Sequence, residues 1–66
     1  MTRYRIIVEQ RVPDERLTIT DRRSKPAGRY LYAATSEAEA LADFRREIRL
    51  CAPEDFTVGI EVFISA

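Results

Sequence analysis

The chain has 66 residues, with 11 basic and 11 acidic side chains, no histidine and one cysteine. A domain of this size buries only about 60% of the surface its unfolded chain exposes. One cysteine excludes an intramolecular disulfide, and without histidine the usual structural zinc sets cannot be built. Support must then come from a closely fitted core or from burial against a second chain. The balanced charge gives no strong overall field toward nucleic acid or anionic membrane. The basic set is ten arginines and one lysine, a bias that a GC-rich coding sequence explains more simply than selection for bidentate arginine contacts.

Near the start, only three apolar residues stand in a row, Ile6 to Val8. That is too short for a secretory apolar segment or a membrane span. With a lone cysteine, a reducing cytoplasmic setting is expected.

Tyr4 to Val12 reads as a strand, with Tyr4, Ile6 and Val8 on one face and Arg5, Ile7 and Glu9 on the other. Val12-Pro13-Asp14-Glu15-Arg16 forms a turn, because the fixed φ of proline suits a type I turn. Leu17 to Asp21 alternates as a second strand, joined to the first as an antiparallel hairpin. Residues 22–28 are a loop, basic and punctuated by Pro26 and Gly28. A third strand follows at Arg29 to Thr35. Its facing is ambiguous, with Tyr30 and Tyr32 on one side and Leu31 and Ala33 on the other.

Ser36 to Cys51 is expected as one amphipathic helix. Ser36 caps its start and Glu39 completes a capping box. Leu41, Phe44, Ile48 and Cys51 make its apolar stripe. Glu37 and Glu39 near the start and Arg46 and Arg49 near the end complement the macrodipole. Pro53 is expected to stop it. Phe56 to Ile64 is the last strand, with Phe56, Val58, Ile60, Val62 and Ile64 inward against the helix. Gly59 in its middle suggests a bulge or a close backbone approach. The expected fold is therefore α+β, a single small domain over residues 1–66 of order β-β-β-α-β. Its four-stranded, mostly antiparallel sheet has order 3-2-1-4, with one helix packed on one face. The last strand runs parallel to the third through a crossover over the sheet. No residue pattern resembles a named family.

Catalysis finds little support in these residues, and no enzyme, cofactor or metal is expected. Histidine, the usual acid–base group near neutral pH, is absent. Cys51, on the apolar stripe near a helix C-terminus, reads as a core filler rather than a reactive thiol. Asp14-Glu15 and Glu54-Asp55 are turn acids, and no glycine-rich phosphate loop exists.

Three surfaces could carry binding. Arg22, Arg23, Lys25 and Arg29, followed by Tyr30 and Tyr32, could meet phosphates and stack on bases. The outer sheet face should expose Ile7 and Phe63 as near neighbours, joined by Tyr30 and Tyr32 or by Leu31 and Ala33, and exposed apolar patches mark interfaces. The helix's charged ridges, Glu39, Asp43 and Glu47 beside Arg45 and Arg49, read as a solvated face.

The expectation from sequence is thus a small non-enzymatic protein-interaction module. It would self-associate or bind a protein partner through the open sheet face, at Ile7, Tyr30, Tyr32 and Phe63, with no membrane and no metal. One concrete form is a bacterial or phage inhibitor or adaptor, such as an anti-CRISPR. The alternative is a nucleic-acid-binding accessory protein using the basic loop 22–29.

Overall fold

The computed structural model of the chain describes residues 1–17 and 26–63. Its centre is β1 (Thr2–Gln10), whose alternation is realised as expected. Tyr4, Ile6 and Val8 are buried, while Arg5 and Ile7 are half-buried on the opposite face. β2 (Gly28–Ala34) pairs antiparallel along one side of β1, placing Tyr30 opposite Ile6. β3 (Phe56–Val62) pairs antiparallel along the other, placing Ile60 opposite Ile6. The sheet order is β2-β1-β3. Because both outer strands oppose β1, they run in the same direction, joined by the helix α1 (Glu37–Glu47). The chain is a small α+β unit with a three-stranded antiparallel sheet and one helix among the described residues.

A four-stranded sheet of order 3-2-1-4 is not what these residues form. The strand expected third pairs directly with β1, and β3 holds the other side, so β1 has no edge left over residues 4–8 for a hairpin partner. Leu17, where that partner should begin, follows a 3₁₀ turn at Asp14–Arg16 and tucks into the core. The remainder of the expected strand, residues 18–21, lies outside the described residues. β1 also stops earlier than expected. The Gln10 side-chain amide donates to the Val12 carbonyl at 2.6 Å and to Asp14 Oδ1 at 2.7 Å, which holds the chain in a bend. Long-range pairing of β2 has prevailed over a local hairpin, a common override of local pattern by tertiary packing.

The helix start matches the sequence reading. Ser36 is extended and its hydroxyl accepts from the Glu39 N–H at 3.2 Å, which satisfies one of the first-turn donors. The Glu39 carboxylate accepts from the Thr35 hydroxyl at 2.5 Å. The helix end does not match. Ile48 is already extended, with φ −115° and ψ 111°, so the helix stops at Glu47 rather than Cys51. Arg49 therefore lies beyond the last turn, where Arg45 and Arg46 stand. In a continuing helix Leu50, six residues after Phe44, would turn about 240° away from it. Extended backbone instead packs Leu50 against the core and buries Ala52. Cys51 is exposed between them, not a core filler. Pro53 opens a second 3₁₀ turn, Pro53–Asp55, that leads into β3.

The helix packs mainly on β2 and less on β1, with no comparable contact to β3. Its buried residues are Ala40 and Phe44, with Leu41 half-buried, as is Ile48 just past its end. The Phe44 ring meets Tyr30 and Tyr32 edge-on, with centroids 5.4 Å and 6.5 Å away. Chain connectivity explains the offset. Only Thr35 and Ser36 separate β2 from α1, so the helix starts above the strand it leaves. The longer run from Ile48 to Asp55 makes the crossing to β3.

Candidate functional site

The offset of the helix leaves half of its own side of the sheet uncovered. The inward row of β3 was expected beneath α1; instead Val58 is 41% exposed and Val62 50% exposed, with Ile60 half-buried between them. Only Phe56, at the start of the strand, is buried. Beside this row lies a groove of about 410 Å³, between Phe44 of the helix, Ile48, Leu50 and Pro53 of the crossing segment, and Val58 of β3. Arg45 and Arg49 also line it. The volume falls within the range that admits an apolar side chain or a small ligand.

β3 is also an edge. No described residue pairs with its outer side. Hydrogen bonds from the Phe63 N–H to the Arg3 carbonyl (2.8 Å) and from the Arg11 N–H to the Asp55 carbonyl (2.7 Å) bracket its pairing with β1. In an antiparallel ladder hydrogen-bonded pairs alternate with non-bonded ones. Between those brackets Thr57, Gly59 and Glu61 therefore turn their backbone groups toward β1. Phe56, Val58, Ile60 and Val62 turn theirs outward. The residues that expose apolar side chains are also those that offer backbone donors and acceptors.

The open face is arranged differently from the sequence expectation. Ile7 and Phe63 both lie on it and both are half-buried. They are not neighbours, because Ile7 pairs with Gly59, four residues before Phe63. The register partners Arg5 and Glu61 stand between them, with Arg5 Nε donating to Glu61 Oε1 at 2.6 Å. The Arg5 guanidinium lies 5.3 Å from the centre of the Phe63 ring, a cation–π distance. Leu31, 57% exposed, and Ala33 are the apolar members β2 contributes to this face.

Tyr30 and Tyr32 face the helix, so they do not join Ile7 and Phe63. The Tyr30 hydroxyl donates to the Pro26 carbonyl at 2.5 Å. The Tyr32 hydroxyl donates to Glu47 Oε1 at 3.2 Å. Burial first, then the hydrogen bond and charge of Glu47, push the Tyr32 phenol up to about 12. It therefore stays protonated and acts as a fixed donor from β2 to the end of the helix. Arg22, Arg23 and Lys25 lie outside the described residues. Arg29 is exposed, opposite Ile7 on the open face, and so is separated from both tyrosine rings.

The helix's acidic ridge is occupied within the chain. Glu39 meets Thr35, Asp43 pairs with Arg46, and Glu47 meets Tyr32. Among the described residues, no three histidine, cysteine or acidic side chains gather in a way that could hold a metal ion. No described helix is long and apolar enough to cross a membrane. Comparison of the chain with protein-family models, with characterised proteins and with solved structures finds no match.

Val58, Val62, Leu50 and Pro53 are the surface residues that sequence reasoning missed. The alternation of β3 made its valines look inward. The signal against that was the unequal length of the two links around the helix, which sets the strand it covers.

Proposed function

We propose that this chain is a small non-enzymatic protein-interaction module of the cytoplasm, docking through β3 and the groove beside it. One observation carries the reading. Val58, Ile60 and Val62 form an incompletely covered apolar row on an edge strand, continuous with a groove floored by Phe44, Ile48, Leu50 and Pro53. Small domains gain most from burying such a row against another chain. The open face is a weaker candidate, since the Arg5–Glu61 pair divides its apolar residues and covers Phe63. An inhibitor or adaptor of a larger assembly fits a chain of this size, and the lone cysteine fits a reducing compartment.

Affinity capture from the native host, with and without nuclease, tests the reading. The pair Val58→Ser with Val62→Ser is compared with Ile7→Ser with Phe63→Ser. Loss of retained protein in the first pair alone, with the fold intact by circular dichroism, is the expected result. Capture that survives the first pair, or that disappears on nuclease treatment, overturns it.

A further inference from the structure

We infer that the outer edge of β3 pairs antiparallel with the same edge of a second copy of this chain, across a two-fold axis at Gly59. The inference rests on the reading of β3 as a docking surface and names its occupant.

Three features of the strand support it. First, natural edge strands are protected by lysine, proline, bulges or covering segments. Phe56–Val62 contains no lysine or proline, and its single charge, Glu61, is already matched by Arg5. Second, the strand is self-complementary about its own midpoint. With the axis at Gly59, all seven residues overlap. Val58 meets Ile60 of the second copy, Val62 meets Phe56, and Glu61 meets the neutral Thr57. An axis at Glu61 would shorten the overlap and set two carboxylates directly opposite, which is destabilising. Third, this register sets the outward backbone groups of Phe56, Val58, Ile60 and Val62, which no described residue pairs, opposite the same groups of the second copy. A Cβ built at Gly59 meets nothing within 4 Å and its backbone is not in the left-handed region, so a side chain is accommodated at the axis.

The resulting sheet has order β2-β1-β3-β3-β1-β2, with a helix toward each end of one face. Between the helices, Val58, Ile60 and Val62 of both copies become one apolar strip. Pairing satisfies the outward backbone groups of four residues in each chain and covers the row that α1 leaves open. Two copies meet through identical patches, as a two-fold interface requires.

The test uses Gly59→Cys in a Cys51→Ser background. Opposed non-bonded residues on an antiparallel pair have Cα atoms about 4.5 Å apart, within reach of a disulfide. The thiols of two copies should therefore join on incubation with oxidised glutathione. Thr57→Cys in the same background is the control, since its two copies lie four residues apart along the strand, roughly 13 Å. The expected result is a covalent dimer for Gly59→Cys, little for Thr57→Cys, and a light-scattering mass for the unaltered protein of twice one chain. Equal crosslinking at both positions overturns the inference, as does a monomeric mass at the highest soluble concentration. In the latter case, partner capture that still depends on Val58 and Val62 leaves the docking reading standing without self-pairing.

Discussion

Phe44→Ala should remove a large share of the domain's stability. The side chain is 2% exposed, is the largest fully buried one among the described residues, and meets Tyr30 and Tyr32 edge-on from the helix. Truncating a buried phenylalanine costs about 3–5 kcal/mol. Removing the ring also abolishes both edge-on aromatic pairs, which places this site in the upper part of that range. A domain of 66 residues has a total stability of about 3–10 kcal/mol at roughly 0.05–0.15 kcal/mol per residue. The substitution therefore removes about half of it or more. Urea unfolding followed by far-ultraviolet circular dichroism reads the effect. With a slope near 1 kcal/mol per molar, the midpoint should fall by about 4–5 M, or the chain should be unfolded without urea. Leu31→Ala, on the opposite face and 57% exposed, should change stability by no more than about 0.5 kcal/mol. A midpoint for Phe44→Ala within about 0.5 M of the unaltered protein would refute the assignment of Phe44 as the side chain that joins helix to sheet.

Two further outcomes follow from particular bonds. Ser36→Ala removes the acceptor for the Glu39 N–H and should cost about 1 kcal/mol in the same urea assay, with Ser36→Gly costing less. The Tyr32 phenol titrates near 12 in the folded chain against 10.0 ordinarily, so the folded state holds its proton more tightly. Its contribution is complete below pH 10 and is lost as pH rises through 12. Alkaline unfolding should thus be shallower in Tyr32→Phe, and absorbance titration of the folded protein should show the Tyr32 phenolate forming late, and earlier in Glu47→Gln.

Local chemistry was well legible in the sequence, and long-range placement less so. The alternation of Tyr4, Ile6 and Val8 fixed the buried face of β1, and Ser36 fixed the start of the helix, because each depends on neighbouring residues alone. Pairing of the last strand beside the first also followed from the helical crossover. What escaped was competition between distant segments. Leu17-Thr18-Ile19 has a strand's alternation, yet β2 takes the edge of β1 that a hairpin would need. The apolar period runs on to Cys51, yet the helix ends where Leu50 and Ala52 can be buried instead. For the site, Ile7 and Phe63 were placed on the correct face, but their spacing depends on a register that composition does not reveal. The tyrosines' facing was ambiguous because both sides of β2 carry apolar groups, and it is decided by the helix above them. Val58 and Val62 were misjudged as covered for the same reason, since which strand a helix covers depends on both of its links.

Hydrogen exchange of the individual β3 amides addresses the central claim that the outer edge of this strand pairs with a second copy of the chain. The amides of Thr57, Gly59 and Glu61 bond to β1 and should be protected at every concentration at which the chain is folded. Those of Val58, Ile60 and Val62 point outward, and their protection requires a second chain. These three should be protected in concentrated protein and lose that protection on dilution, while the inward set is unchanged. Outward amides that exchange as fast as an unstructured peptide at all concentrations, beside a protected inward set, would contradict the claim.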